Sequence, residues 1–137
     1  MIIGIGIDLV QIPAFKDQLS DPASSFLDTV FTKEERVYCE NAISREPARH
    51  FAARYAAKEA AVKALDAACA SAGLNPPLLN LGTIEVIRDD AGRPALVFHD
   101  DAKSLLESAG ADRAHLSISH EHDYANAMVV LERISQI

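Results

Sequence analysis

The pattern of apolar and polar positions divides the chain into strand-like and helix-like stretches. The opening stretch MIIGIGIDLVQI is rich in β-branched residues and predicts a buried strand, which ends at Pro13. Residues 14–30 have a mixed pattern that predicts one or two short helices. The sequence TKEE at 32–35 has the spacing of a capping box, so we expect another helix to begin there and run toward Ala42.

The longest predicted element is a helix that begins at Pro47 and ends at Gly73. Proline suits the first turn of a helix, where its missing N–H is not needed, and glycine suits the position just past the end. Alanine, the strongest helix former, dominates the sequence between them. We therefore expect one continuous helix across this stretch.

The carboxyl-terminal half predicts two β-hairpins with a short helix between them. Strand-like runs at 83–88 and 95–98 flank the turn DDAGRP, and AHLSISH and YANAMVVLE flank EHD. Residues 101–109 have a helical pattern that ends at Gly110. This order of elements predicts an α+β fold in which an antiparallel sheet packs against the long helix, with residues 1–137 forming a single domain.

Composition and charge narrow the classes of partner. The chain has 137 residues, of which 49% are hydrophobic, so it fits one domain with a substantial core. Its net charge of −7 argues against a nucleic-acid partner, and no apolar run approaches the roughly 20 residues that a membrane helix needs. The stretch 33–63 carries seven cations against five carboxylates, which makes it the candidate region for receiving an anion.

The cysteines and the amino-terminal sequence bear on the cellular location of the protein. Cys39 and Cys69 have neither the spacing of a disulfide framework nor that of a zinc motif, so a reducing environment is expected. The apolar start lacks the cationic region of a signal peptide and is interrupted by Asp8. These features predict a cytoplasmic protein.

Asp8 is a carboxylate in the middle of an apolar strand. An ionised carboxylate in such a place is costly to bury unless a partner compensates for its lost hydration. Two interpretations are open at this point. Either the side chain reaches solvent or caps a loop from an edge strand, or it belongs to a site with a cation.

Two interpretations are also open for Glu59 and Lys63. Their i, i+4 spacing is that of an ordinary helix surface pair, worth about 0.3 to 0.5 kcal/mol. Alternatively, Glu59 and Asp8 form a magnesium half-site, because Mg²⁺ binds through one or two carboxylates and takes its other ligands from water and substrate phosphates. Tyr55, Glu59 and Lys63 share one row of the helix, which would place the ammonium one turn from the metal.

Neighbouring polar residues leave further alternatives. Arg54 and Lys58 lie on the adjoining row of the same helix, where they are either further anion contacts or solvated surface. His120 and His122, with the acids beside them in SISHEHD, suggest a transition-metal site, but a polar hairpin turn explains the same letters.

Five motifs together resemble one known family. They are GIGIDLV at the start, FTKEE at 31–35, RYAAKEAAVKAL at 54–65, GRP at 92–94 and SISH at 117–120. Their order and spacing resemble the holo-acyl-carrier-protein synthase family of 4′-phosphopantetheinyl transferases along nearly the whole chain, and the sequence looks most like actinobacterial members. The resemblance implies transfer of the phosphopantetheine arm of coenzyme A to a serine of an apo acyl carrier protein or carrier domain, with release of 3′,5′-ADP.

The resemblance also implies roles for particular residues. Asp8 and Glu59 would hold Mg²⁺ at the pyrophosphate of coenzyme A, and Lys63 would stabilise charge on the phosphates. The coenzyme pocket would be lined by Arg54, Lys63, Gly92, Arg93, Pro94, Ser119 and His120. The family resemblance further implies a homotrimer with active sites between subunits.

One stretch departs from the family pattern. Family members often carry a basic first helix that receives the acidic carrier protein, whereas QIPAFKDQLSDPASSF contains Lys16 as its single cation. Docking of the carrier would then be more hydrophobic, or would use Lys33, Arg36, Arg45 and Arg49. Two other classes of function fit the same charges: a magnesium-dependent hydrolase or binder of nucleotide pyrophosphates, and a non-catalytic α+β assembly module.

Overall fold

The structure, a computed structural model, describes residues 1–42 and 46–134. The strands in these residues are β1 (Ile2–Gln11), β2 (Ile84–Arg88), β3 (Pro94–Phe98), β4 (Arg113–Glu121) and β5 (Tyr124–Glu132). The helices are α1 (Ile12–Leu19), α2 (Phe26–Val30), α3 (Lys33–Glu40), α4 (Pro47–Ser71) and α5 (Asp100–Ser108), with a 3₁₀ turn at Leu81–Thr83. The predicted α+β class is confirmed, and most predicted boundaries lie within two residues of the observed ones.

The strands form two antiparallel sheets. The larger sheet has the order β1-β5-β4, so the first strand of the chain pairs with the last, with Asp8 opposite Ala127. The smaller sheet is the hairpin of β2 and β3. Both predicted hairpins are present, and the larger sheet packs against α4 as expected.

Local sequence signals set the ends of two helices. At the start of α3, the Thr32 hydroxyl accepts a hydrogen bond from Glu35 N at 3.2 Å, and Glu35 Oε1 accepts one from Thr32 N at 2.9 Å. This is the predicted capping box. Pro47 lies in the first turn of α4, and Gly73, with φ +73°, follows its end.

Helix α4 is the centre of the core, and its small residues let neighbouring elements approach closely. A Cβ atom on Gly6 would lie 1.8 Å from the carbonyl oxygen of Ala60, and one on Gly4 would lie 2.2 Å from that of Ala64. Glycine is therefore required at both positions, because any larger residue would push β1 away from α4. This contact places Asp8, two residues after Gly6, beside the same helix.

The remaining core is formed by apolar side chains around α4. Phe15, Phe26, Phe31 and Phe51 form a chain of edge-to-face ring contacts at its amino-terminal half. The inner faces of β1 and β5 cover the alanine-rich middle of the helix. Within the described residues, no helix is long and apolar enough to cross a membrane.

Candidate active site

Asp8 and Lys63 form an ion pair between β1 and α4. Lys63 Nζ donates to Asp8 Oδ1 at 3.2 Å and to the carbonyl oxygen of Ile7 at 2.9 Å. The Asp8 side chain is 17% exposed and that of Lys63 is 54% exposed. Asp8 therefore has its compensating partner on the helix, and the interpretation as a solvent-facing or loop-capping residue is wrong.

Glu59 lies one turn before Lys63, in the same cavity as Asp8. This cavity, of about 330 Å³, is also lined by Tyr55, Phe15 and other residues of β1 and α1. The ammonium of Lys63 bonds to β1 rather than to Glu59, so the ordinary surface pair is not the arrangement observed. Burial, together with the charge and hydrogen bond of Glu59, raises the pKa of Tyr55 to about 12. Tyr55 is therefore protonated at neutral pH, beside the Glu59 carboxylate in the same cavity.

The donor set around this cavity fits magnesium better than a closed metal cage. Asp8 and Glu59 bring two carboxylates to one partly open space, and Mg²⁺ keeps several water or phosphate ligands beside one or two carboxylates. In the described part of the chain, no group of three or more His, Cys, Asp or Glu side chains could hold a metal ion by itself. We call Asp8, Glu59 and Lys63 the acidic site.

A larger cavity of about 770 Å³ also includes Glu59 and Lys63 in its lining. The rest of its lining is mainly apolar and includes Leu79, Leu81 and Leu105. A molecule with a charged part and a less polar arm would find both environments in this groove.

Arg54 is buried one turn before Lys58 on α4. It is 7% exposed, and the carbon at the centre of its guanidinium group lies 4.3 Å from the centroid of the Tyr38 ring. Its Nη1 donates a long hydrogen bond of 3.4 Å to the carbonyl oxygen of His50, whereas its buried Nε has no hydrogen-bond partner. Such an orphaned charged donor suits an anionic ligand, and the interpretation of Arg54 as solvated surface is wrong.

Arg88 joins Arg54 at the same aromatic ring, a contact that no sequence pattern predicted. Its guanidinium lies 5.4 Å from the Tyr38 centroid, its Nη1 donates to the Tyr38 hydroxyl, and its Nε donates to Gly92 O at 3.0 Å. Tyr38 and Arg88 are 50 positions apart, so only the packing of α3 against β2 brings them together. The Gly92 contact links this group to the predicted GRP turn.

The pKa of His50 reflects the positive charge around Arg54 and Arg88. Burial lowers the pKa of His50, and the charges of Arg54 and His120, followed by those of Arg49 and Arg88, lower it further. We call Tyr38, His50, Arg54, Arg88 and His120 the arginine cluster.

The other predicted pocket residues lie on the two hairpins. Gly92 has φ +83° in the turn between β2 and β3, and Arg93 Nε donates to Asp89 Oδ2 at 2.8 Å. Arg93 and Pro94 line a cavity of about 410 Å³ with residues of β4. On β4 the Ser119 hydroxyl donates to Asn126 Oδ1 at 3.1 Å. Across the described residues, no hydrogen bond or ion pair joins these residues or Arg54 to the acidic site.

Two alternatives from the sequence are corrected by the structure. The Lys58 ammonium is fully buried and bonds to Glu35 and to backbone carbonyls, so it is neither an anion contact nor solvated surface. His120 and His122 belong to the β4–β5 hairpin, in which His122 occupies the turn with φ +52° and an 88% exposed side chain. The hairpin interpretation is confirmed, and the transition-metal site is not supported in the described residues.

The sequence matches one protein family along most of the chain. The family model described as the 4′-phosphopantetheinyl transferase superfamily matches residues 4–128. The chain therefore belongs to the 4′-phosphopantetheinyl transferase superfamily.

Individual proteins are similar to this chain over nearly its full length. Proteins described as holo-[acyl-carrier-protein] synthase from Nocardia farcinica and Corynebacterium efficiens are 44% and 45% identical to this chain. The match to the Nocardia protein covers 96% of this chain and 88% of that protein. The match to the Corynebacterium protein covers 95% of this chain and 94% of that protein. The solved complex of Chronobacterium ammoniagenes ACPS with CoA has a TM-score of 0.81 at 37% identity, over 96% of this chain and 98% of that chain. The resemblance drawn from the motifs, including that to actinobacterial members, is confirmed.

Proposed function

We propose that the protein is a holo-acyl-carrier-protein synthase. It transfers the 4′-phosphopantetheine arm of coenzyme A to a serine hydroxyl of an apo acyl carrier protein or carrier domain and releases 3′,5′-ADP. The observation that carries this proposal is the acidic site, in which Asp8 and Glu59 face one cavity and Lys63 is held beside them. Superfamily membership and the named relatives support the same reaction.

The acidic site supplies what phosphoryl transfer requires. Asp8 and Glu59 would hold Mg²⁺ against the pyrophosphate of coenzyme A. A bound Mg²⁺ supplies Lewis-acid polarisation of phosphate oxygens. Lys63, fixed by Ile7 and Asp8, stabilises negative charge that develops on the phosphates during attack by the serine. Tyr55 lines the same cavity as the two carboxylates.

The arginine cluster would receive another anionic part of coenzyme A. Arg54 presents a buried Nε with no partner, and Arg88 is held beside it by Tyr38 and by the carbonyl oxygen of Gly92. A phosphate group would satisfy the orphaned donor and offset the mutual repulsion of the cations. Gly92, Arg93, Pro94, Ser119 and His120 complete the coenzyme pocket in this proposal.

The outer face of the larger sheet supports an assembly of several copies. Ile5, Ile7, Leu9, Tyr124 and Met128 lie on this face and are each between 43% and 64% exposed. Contiguous large apolar side chains on a sheet face mark an interaction surface, since a monomer would leave them in water. We propose a homotrimer in which the acidic site of one copy and the arginine cluster of the next form one active site.

Two of the four cations considered for carrier docking already have acidic partners. Arg36 is paired with Asp28 at 2.6 Å and Arg49 with Glu46 at 2.8 Å, and Arg45 lies outside the described residues. Lys16 and Lys33 remain exposed on α1 and α3. The proposal is therefore that carrier docking depends more on apolar contact than on charge. The two free, buried cysteines are compatible with the proposed cytoplasmic location.

Intact-mass spectrometry of the carrier tests the reaction. Apo acyl carrier protein is incubated with coenzyme A, Mg²⁺ and the protein, beside the Glu59→Ala variant and an EDTA control. Glu107→Ala, which removes an exposed glutamate from α5, is the matched variant that retains activity. A phosphopantetheine-sized mass gain that is lost with Glu59→Ala and with EDTA supports both the transfer and the metal-holding role. Coenzyme A hydrolysis without any gain on several verified apo carriers would instead support the pyrophosphate hydrolase.

A further inference from the structure

Lys58 is the centre of a buried polar network that the proposed reaction does not use. Its ammonium donates to Glu35 Oε1 at 2.6 Å, to the carbonyl oxygens of Val30 and Ile84 at 2.7 Å each, and to that of Leu81 at 3.2 Å. These four acceptors come from the end of α2, from α3, from β2 and from the 3₁₀ turn. One side chain of α4 thus holds four separate segments.

Glu35 extends the network on the other side of the ion pair. Its Oε1 also accepts from Thr32 N, and its Oε2 accepts from Val86 N at 2.9 Å. The Thr32 hydroxyl donates to Glu85 Oε2 at 2.7 Å. Burial lowers the pKa of Lys58, and the adjacent Glu35 carboxylate opposes that shift. Apolar side chains of similar volume often stabilise a protein as much as a buried ion pair does. The contribution of this pair is therefore to hold the surrounding segments in a fixed geometry.

That geometry concerns the wall of the larger cavity. Leu81, whose carbonyl oxygen binds Lys58, lines the same cavity as Glu59 and Lys63. The opposite side of α4 is pressed against β1 by the contacts of Gly6 and Gly4 with Ala60 and Ala64. The part of the larger cavity that Leu81 lines is called the Leu81 wall. Helix α4 is therefore held on two sides, by β1, which carries Asp8, and by the Lys58 network, which binds the Leu81 wall.

We propose that Lys58 is a positioning residue that sets the distance between the Leu81 wall and the acidic site, and so shapes the groove that receives coenzyme A. The inference rests on the proposed function, because the groove shares Glu59 and Lys63 with the acidic site that would hold the pyrophosphate of coenzyme A. Lys58 does not touch the substrate. It acts through the backbone of residues 81–84, which its ammonium binds at two carbonyl oxygens.

The test compares Lys58→Met, Glu35→Gln and the double variant by thermal unfolding and steady-state kinetics. Lys58→Met alone leaves a buried carboxylate without its partner and should lower the melting temperature most. The double variant removes both charges and should recover part of that loss. Because the carbonyls of Leu81 and Ile84 stay unpaired in it, we expect the KM for coenzyme A to rise about tenfold, with the KM for the carrier unchanged.

Two controls separate positioning from stability. Glu35→Gln keeps the ammonium on the carbonyls and should leave the KM for coenzyme A near the wild-type value. Leu131→Ala, a buried change on β5, lowers stability away from the groove and should also leave that KM unchanged. A double variant with wild-type KM would overturn the inference. If the double variant does not fold, Lys58→Arg replaces it: the larger guanidinium should displace the Leu81 carbonyl and raise the same KM, and a wild-type KM would again overturn the inference.

Failure of the proposed function gives a different pattern. In that case the wild-type protein itself gives no mass gain on the carrier, and no KM is measured for any variant. The inference about Lys58 fails only when the wild-type protein is active and the variants share its KM for coenzyme A.

Discussion

The acidic site and the arginine cluster both include residues of α4 but have opposite charge. In the acidic site, Lys63 neutralises Asp8 directly and keeps half of its side chain in water. In the arginine cluster, Arg54 and Arg88 share one tyrosine ring, and the buried Nε of Arg54 has no partner. The first group carries carboxylates for a cation, and the second carries an excess of positive charge for an anion. Under the proposed function, each group would supply one half of a site for a polyphosphate with a metal ion.

The largest expected effect comes from removing a carboxylate from the acidic site. Asp8→Asn should lower the rate of transfer by about a hundredfold or more, because the site loses a charge that holds the metal at the transferring phosphate. The melting temperature should change little, since the ion pair with Lys63 is partly exposed. Mass-resolved transfer and thermal unfolding measure the two quantities. Asp101→Asn on α5 is the control, and equal losses in both variants would contradict the assignment.

The next effect tests whether the two halves meet between copies. Ile7→Glu places a charge on the apolar face of the larger sheet and should convert the oligomer to monomers. Most of the transfer activity should be lost with the assembly, although Ile7 touches neither charged group through its side chain. Light scattering coupled to size exclusion measures the mass. Val37→Glu, which changes an equally exposed apolar residue on α3, should leave the assembly intact.

A moderate effect is expected in the arginine cluster. Arg54→Met keeps an apolar stem against Tyr38 but removes the charge, so the KM for coenzyme A should rise about tenfold. The rate at saturating coenzyme A should fall much less, because the acidic site is intact. Equilibrium binding of coenzyme A gives an independent measurement. A rise in the KM for the carrier alone would contradict the role given to Arg54.

Mixing these two variants tests whether the halves of a site come from different copies. Trimers assembled from Asp8→Asn and Arg54→Met chains contain some interfaces with both wild-type halves. At coenzyme A concentrations well below the KM of Arg54→Met, activity above that of either variant alone should therefore appear after subunit exchange. If both halves served one active site within a single chain, mixing would restore nothing.

The smallest effect is a pH dependence that originates at His50. Its pKa is lowered in the folded protein by burial and by neighbouring cations, so the unfolded chain binds this proton more readily. Stability should then fall as pH decreases below the usual histidine pKa of about 6.5. In the His50→Gln variant the melting temperature should decline less between neutral and mildly acidic pH. Saturating coenzyme A should reduce this difference, because an anion beside His50 raises its pKa.

Much of the fold follows from signals that are local in the sequence. The capping box of Thr32 and Glu35, the proline at the start of α4 and the two hairpin turns each depend on residues a few positions apart. Asp8 could also be singled out locally, because a carboxylate in an apolar strand needs a partner. The separate two-stranded sheet could not be foreseen, since strand pattern does not specify which strands pair.

The burial of the two lysines of α4 could not be predicted from the sequence. Lys58 and Lys63 stand five positions apart in an alanine-rich helix, and one is fully buried while the other is 54% exposed. An amphipathic helix would have distinguished them by its apolar stripe, but α4 is buried on several sides and has no single stripe. The roles of both lysines were therefore open until the surrounding elements were placed.

The helices and the hairpins could be predicted from the sequence, and Asp8, Glu59 and Lys63 could be named as candidates, because capping, turn chemistry and an unpaired charge are short-range properties. The tertiary structure was needed to show that Lys63 pairs with Asp8, that Lys58 binds Glu35, and that Arg88 joins Arg54 at Tyr38. These contacts join residues 16 to 55 positions apart. Their partners are selected by packing in three dimensions, which spacing along the chain does not encode.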